Sequence, residues 1–98
     1  MKRKEIVKFI ENEYPSYEWE DIILFDDIED AFVGVAERFG MGPVATYNYD
    51  KCIDIYMEDG MTFEEAVDHF SFNSIGAWVG DKTPVFVRFA AGETNADN

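Results

Sequence analysis

The chain has 98 residues, of which 47% are hydrophobic and 16% aromatic, and its formal net charge is −13. This apolar content predicts a single core and excludes a disordered acidic chain, since such chains bury too little apolar surface to offset the entropy of ordering. The negative charge disfavours direct binding of nucleic acid or anionic membranes and favours a basic protein partner.

A first helix is predicted over about residues 2–14, because Ile6, Phe9 and Ile10 recur at helical spacing before Pro15. Half of the eight basic residues lie at the start of this helix, where the helix dipole disfavours cations. We therefore expect that the start of the helix, the basic tip, either frays or serves a use that requires these positive charges. Its basic residues are Lys2, Arg3, Lys4 and Lys8.

An acidic stretch follows, with ten carboxylates between Lys8 and Arg38 and no Lys or Arg among them. Within it, the apolar run at residues 22–25 predicts a short buried strand, and one helical turn is the alternative.

Two patterns compete over residues 28–48. Helical spacing allows one stripe over residues 28–39, capped by Asp27 and stopped by Gly40. A period of two instead predicts a hairpin, and the β-branched content together with Gly34 favours it. The hairpin has one face of Ala31, Val33, Val35 and Phe39, a turn at Gly40 to Pro43, and a returning strand from Val44 to Asn48.

Two helices come next. Asn48 can cap a helix over residues 49–59 that Gly60 closes, with Cys52, Ile53, Tyr56 and Met57 facing inward. The sequence TFEE at residues 62–65 is a capping box, which starts a second helix at Phe63. The inward stripe of that helix is Phe63, Ala66, Val67 and Phe70, and Ser74 and Ala77 continue the same face.

The segment IGAWVG at residues 75–80 predicts a chain reversal at which Trp78 covers the core, and a partner-binding role for Trp78 is the alternative. A turn and the strand VFVRF at residues 85–89 follow. The sequence therefore predicts one α+β domain over residues 1–89, with an N-terminal helix, a central helix pair and a small antiparallel sheet of three or four short strands. Residues 90–98 are predicted to form a flexible tail.

Tests for chemical sites give no candidate. Aligning Gly60 with the glycine of an EF-hand loop places apolar side chains at three ligand positions. Cys52 and His69 lack the spacing of a zinc site, and Cys52 lies on an apolar stripe, which is typical of a buried inert thiol. We therefore predict no catalytic residue, no metal, no cofactor and no enzymatic activity.

One surface feature is distinctive: Asp50, Asp54 and Glu58 repeat at i, i+4 and i+8. Such like-charge pairs cost an isolated helix about 0.2–0.5 kcal/mol each. Carboxylates repeating along a firm helix can imitate the phosphates of a nucleic acid, and a merely solvated helix face is the alternative. The predicted partner-binding residues are Asp50, Asp54, Glu58, Glu18, Glu20, Asp21, Asp26, Asp27 and Trp78.

Four short segments read YNYDKCI, DGMTFEEA, FNSIGAWVG and TPVF. With them, residues 24–88 resemble a family of small uncharacterised proteins encoded by phages, prophages and some bacteria, which share Y-x-Y-x-K-C-I, D-G-M-x-x-E-E-A, F-N-x-x-G-A-W-V-G and T-P-x-F. The resemblance implies a phage or prophage setting and transfers no catalytic residue. The matching positions are Asp50, Lys51, Cys52, Asp59, Gly60, Glu64, Glu65, Ala66, Phe72, Asn73, Gly76, Ala77, Trp78, Gly80, Thr83 and Pro84.

Two functional hypotheses follow. The first is a non-catalytic accessory protein that binds a basic host or phage protein through its acidic surface, with inhibition of a nucleic-acid-binding host defence factor by charge mimicry as the specific form. The second is a structural module that self-associates into a homo-oligomer through the aromatic surface near Trp78. Because the chain has a single cysteine and no segment typical of a membrane span or signal peptide, we expect it in the cytoplasm of a bacterial host.

Overall fold

The computed structural model describes residues 1–15, 22–71 and 82–90 and confirms an α+β fold with an N-terminal helix. Within these residues, three strands form one sheet, in which the strand order is that of the chain. Residues 91–98 of the predicted tail lie outside the described residues. The elements are α1 (Arg3–Glu13), a single 3-10 turn (Glu29–Ala31), β1 (Phe32–Arg38), β2 (Met41–Asn48), α2 (Tyr49–Glu58), α3 (Phe63–Phe70) and β3 (Val85–Val87).

The ambiguous segment forms the predicted hairpin, because β1 and β2 pair antiparallel. Its turn is shorter and earlier than the predicted Gly40 to Pro43 turn. Arg38 pairs with Met41, which leaves only Phe39 and Gly40 in the turn. Gly40 has φ +85°, a left-handed conformation that glycine adopts without steric cost.

An irregularity in the pairing of β1 with β2 affects which hairpin side chains reach the core. The register shifts between Phe32 and Gly34, so that Val33 is an extra residue and the period-two face is broken there. Val35 packs against the core as predicted, but Val33 is half exposed and Phe39 is fully exposed. The predicted face was therefore wrong for Val33, because simple alternation does not anticipate a bulge, and for Phe39, because it lies in the turn and not in the strand.

The sheet is mixed, which corrects the prediction of a purely antiparallel sheet. β3 pairs parallel to β2, with Thr46 opposite Val85 and Asn48 opposite Val87. The chain between these strands includes α2 and α3, and a parallel pair requires such a long connection. Strand direction depends on where this connection returns, which the residues of a three-residue strand do not encode.

The core is organised around Tyr47 on β2, whose side chain is completely buried. Its ring lies 5.8 Å from that of Phe32 and 5.9 Å from those of Phe25 and Phe86, measured between centroids. Helix α1 adds Phe9, whose ring meets Phe32 edge-on at 6.2 Å. The same cluster thus joins α1, all three described strands and the segment that precedes the 3-10 turn.

Residues 22–25 form neither the predicted strand nor a helical turn. Ile22 is buried, so the apolar run does serve the core. The backbone N–H of Phe25, however, donates a hydrogen bond of 2.9 Å to the hydroxyl of Tyr47. The prediction of a strand failed because a side chain, and not a neighbouring strand, satisfies this amide.

Both helices begin as predicted, and α2 ends just before the predicted Gly60. The predicted continuation of the second helix face to Ser74 and Ala77 lies outside the described residues. The Asn48 side chain accepts a hydrogen bond of 3.1 Å from the backbone N–H of Lys51, and Gly60 has φ +110° after the end of α2. At the start of α3, the Glu65 N–H donates to the Thr62 hydroxyl at 3.1 Å, and the Thr62 N–H donates to the Glu65 carboxylate at 2.9 Å. The capping box is therefore confirmed.

Two residues of the predicted inward stripes lie outside the core. Met57 is 40% exposed and Phe63 is 60% exposed, whereas Cys52, Ala66 and Phe70 are buried. Met57 and Phe63 lie on either side of the turn at Gly60, at the ends of their helices. Helical spacing identifies a face but not where along that face the neighbouring elements stop.

We expect Thr62→Ala to lower the free energy of unfolding by about 0.5–2 kcal/mol, because the Glu65 amide loses its partner. Thr62→Ser keeps an accepting hydroxyl and is the matched control. Urea denaturation followed by circular dichroism measures both. Equal stability of the two variants would show that this cap does not hold α3.

We expect Tyr47→Phe to lower the free energy of unfolding by about 1–3 kcal/mol, because the Phe25 amide is left without its acceptor. The ring remains, so packing is preserved. Hydrogen exchange measures the local effect. The Phe25 amide should exchange faster than in the wild type. The Ala45 amide, in the middle of β2, should exchange faster only by the factor that corresponds to the loss of global stability. Unchanged exchange at Phe25 would contradict this role for the hydroxyl.

Candidate functional site

The acidic column lies on the exposed side of α2. Asp50, Asp54 and Glu58 are all exposed, and in the part of the chain that the structure describes no cationic side chain forms an ion pair with any of them. The opposite side of α2 carries the buried Cys52 and Ile53. Because one face is held in the core, the backbone that carries the carboxylates is fixed, and these residues repeat at about 6 Å along the helix.

A second set of carboxylates lies on the neighbouring helix α3. Glu64, Glu65 and Asp68 are exposed. The two helices pack together, and one contact between them is that of the Tyr56 and His69 rings at 4.8 Å between centroids. Glu65 is engaged in the capping box, so Glu64 and Asp68 are the α3 carboxylates that extend the acidic surface beside α2.

Asp26 and Asp27, also predicted to bind a partner, lie in the segment before the 3-10 turn. The Asp26 carboxylate accepts a hydrogen bond of 2.8 Å from the Arg3 guanidinium, so its charge is partly neutralised within the molecule. Asp27 is exposed and has φ +71°. The remaining predicted residues lie outside the described residues. They are Glu18, Glu20, Asp21 and Trp78.

A polar cleft of about 450 Å³ connects the acidic segment around Asp27 with the acidic column of α2. It lies between the start of α1, residues 27–30 and the end of α2, and it brings Asp27 to the same concavity as Glu58. The amino group of Met1 donates to Asp30 at 3.2 Å in this region. The residues that line the cleft are Met1, Lys2, Arg3, Asp27, Glu29, Asp30, Ile55, Glu58 and Asp59.

Two residues of the basic tip, Lys2 and Arg3, line this cleft, and each contacts a carboxylate. Arg3 meets Asp26, and the backbone N–H of Lys2 donates to the Glu5 carboxylate at 2.8 Å, which holds the first turn in place. Of the basic tip, Arg3 therefore uses its charge within the molecule. The sequence identified the tip and the acidic stretch separately, but 23 residues separate Arg3 from Asp26 and no local pattern joins them.

Cys52 is completely buried, as the apolar stripe predicted, and burial raises the pKa of its thiol to about 12. A thiolate nucleophile requires a lowered pKa and access to solvent. Among the described residues, no group of three His, Cys, Asp or Glu side chains has the arrangement of metal ligands. The arrangement around Cys52 therefore stabilises the neutral thiol.

A second contact that the sequence did not indicate joins α1 to the hairpin. The Tyr14 hydroxyl, which follows α1, donates a hydrogen bond to the carboxylate of Glu37 on β1. This hydrogen bond to the carboxylate is the main cause that raises the pKa of Tyr14 to about 12, with desolvation second. The contact fixes the end of α1 against β1.

Comparisons with protein-family models, with curated proteins and with solved structures found no significant match. No helix in the described ranges has both the length and the apolar character needed to cross a membrane. The candidate site is therefore defined by the geometry and charge of the acidic column and its surroundings.

Stability should fall at alkaline pH in a way that depends on Cys52. The pKa of the thiol is raised from 9.0 to about 12 in the folded protein, so its contribution is complete below pH 9 and is lost as the pH rises toward 12. Between pH 9 and 10, the free energy of unfolding of the wild type should fall by about 1 kcal/mol more than that of Cys52→Ala. Urea denaturation at both pH values measures this difference, and parallel losses in the two proteins would contradict it.

Proposed function

We propose that this protein is a non-catalytic accessory protein that binds a basic partner protein through the acidic column of α2. In a phage or prophage setting, the partner class is a nucleic-acid-binding host defence factor, whose binding groove the column occupies in place of phosphates. The observation that carries the proposal is that Asp50, Asp54 and Glu58 are exposed, unpaired with any described cation, and fixed on a helix whose other face is buried.

The energetics of the column support this proposal. Like charges at i and i+4 destabilise a helix, and neighbouring Lys or Arg residues would relieve the repulsion. The structure contains such relief elsewhere, where Arg3 neutralises Asp26. On α2 the one cation is Lys51, three residues before Asp54, and it forms no ion pair with the column, so the remaining repulsion would be relieved by the cations of a partner.

The proposed mode of binding is electrostatic imitation of a nucleic-acid strand. A groove that binds nucleic acid presents Lys and Arg side chains to regularly spaced phosphates. The carboxylates of the column repeat at about 6 Å along one line, and Glu64 and Asp68 lie on the adjacent helix. Binding to a basic groove would release counterions from both surfaces, and the complex should weaken steeply with salt.

Paired charge variants test the proposal. Asp50→Asn/Asp54→Asn removes two charges from the column, and Glu11→Gln/Glu13→Gln removes two exposed charges from α1, so both variants have the same net charge. Each protein, and the wild type, is used to capture and identify partners from a bacterial host lysate at 50 mM and 300 mM NaCl. We expect the wild type and the α1 variant to retain the same basic partner at low salt and the column variant to lose it.

A competition experiment examines mimicry itself. Double-stranded DNA added to the captured complex should release the partner, whereas the same concentration of uncharged dextran should not. Equal loss of the partner in both charge variants would show that only total charge matters. A partner that resists both salt and DNA would contradict binding through the acidic column.

A further inference from the structure

The turn between α2 and α3 exposes two apolar side chains beside the acidic column. Met57 is 40% exposed and Phe63 is 60% exposed, although their spacing groups them with the core residues of their helices. Met61, between them in the chain, is partly buried against the core. We call Met57, Met61 and Phe63 the α2–α3 corner. Departures from a local pattern of this kind are expected where a surface serves binding.

The backbone of the corner is held in place. The Gly60 N–H donates to the Met57 carbonyl at 3.0 Å, and the Met61 N–H donates to the Tyr56 carbonyl at 3.3 Å. The capping box then fixes Thr62 directly before Phe63. The exposure of Met57 and Phe63 therefore belongs to an ordered turn, with backbone hydrogen bonds on both sides of Gly60.

Carboxylates surround the corner. Asp54 lies three residues before Met57 on the same helix, a spacing at which side chains are neighbours on the surface. Glu58 follows Met57 and Glu64 follows Phe63 in the sequence, and Asp59 lies two residues after Met57. All three carboxylates are exposed. The chain has no Lys or Arg between Lys51 and Lys82. The corner is thus an apolar spot within a negatively charged surface.

We propose that the α2–α3 corner binds an amphipathic basic helix of the partner, so that apolar side chains of that helix cover Met57 and Phe63 while its Lys and Arg side chains meet the surrounding carboxylates. This inference rests on the proposed function and narrows it to one element of the partner. An amphipathic helix presents apolar and basic residues on adjoining faces, which matches an apolar spot with an acidic border. Methionine adapts its shape to such partners because its side chain is unbranched and flexible.

Charge selects this occupant over the alternatives. A second copy of the chain would bring another −13 charges and the same carboxylates against the corner, which is unfavourable. A wholly apolar partner would desolvate the surrounding carboxylates without pairing them. Only a partner with both apolar and cationic groups satisfies the whole surface.

Two defined peptides test the inference. One is a fluorescein-labelled 14-residue Leu/Lys peptide with leucines at helical spacing, and the other has the same composition in an order that destroys the amphipathic pattern. Fluorescence anisotropy measures their affinities for the wild type, for Met57→Ala/Phe63→Ala and for Phe39→Ala. Phe39 is the matched control, because it is a fully exposed aromatic residue that lies in the hairpin turn and not in the α2–α3 corner.

We expect the wild type and Phe39→Ala to bind the amphipathic peptide about tenfold or more tightly than the reordered one, and Met57→Ala/Phe63→Ala to lose that preference. Equal affinity of the wild type for both peptides would overturn the inference while leaving the proposed function in place, because charge alone would then account for binding. Failure of the column variant to lose its partner in the lysate experiment would instead overturn the proposed function.

Two further outcomes would also overturn the inference. Sedimentation that shows a wild-type dimer, dissociated by Met57→Ala/Phe63→Ala, would make a second copy the occupant. A fall of several degrees in the melting temperature of that variant would show that other residues of the same chain cover the corner, because exposed side chains contribute little to stability.

Discussion

The hydrogen bond from the Phe25 amide to the buried hydroxyl of Tyr47 is the interaction on which the rest of this structure depends. A segment that follows a stretch rich in carboxylates has little tendency to adopt regular structure on its own. The bond, together with the rings of Phe25, Phe32 and Phe86 around Tyr47, holds that segment against the sheet. It also places Asp26 where Arg3 can reach it. Without this polar anchor in an apolar cluster, the segment around Phe25 would lose its hydrogen bond to β2, whereas α1 would keep its contacts with β1 through Phe9 and Tyr14.

The charge distribution is divided between two uses. Around the start of α1, cations and carboxylates meet within the molecule, and the repulsion in the acidic segment is reduced. Along α2, exposed carboxylates face solvent, and no described cation forms an ion pair with Asp50, Asp54 or Glu58. Exposed ion pairs contribute only about 0–1 kcal/mol, so the difference matters less for stability than for what each surface can bind. The unneutralised column is the surface available to a basic partner.

Apolar exposure adds a second property to that surface. The core takes up Cys52 and Ile53 from α2 and Ala66 and Phe70 from α3, and it ends before the turn that joins the helices. Met57 and Phe63 are therefore presented next to the column. Charge alone attracts many basic proteins, whereas an apolar contact within a charged border discriminates among them by shape and position. The proposed recognition of an amphipathic basic helix combines both effects.

Local signals in the sequence determined the helices and the hairpin, because each depends on residues within a few positions of one another. Asn48, the Thr62 and Glu65 pair, and Gly60 specify helix ends through hydrogen bonds and backbone conformation that form between near neighbours. The acidic column was also visible, since a repeat of four residues is itself a local pattern. The Val33 bulge was not, because it depends on how β2 aligns with β1.

Only the tertiary structure decided the parallel pairing of β3, the irregular path of residues 22–25, the use of Arg3 and the exposure of Met57 and Phe63. The first three of these depend on groups far apart in the chain: Thr46 with Val85, Tyr47 with Phe25, and Arg3 with Asp26. A residue type sets what a side chain can bind, but the packing of distant elements sets what it meets. The sequence by itself therefore determined a small acidic α+β protein with a charged helix face, and packing determined which charges are paired within the molecule and which remain exposed.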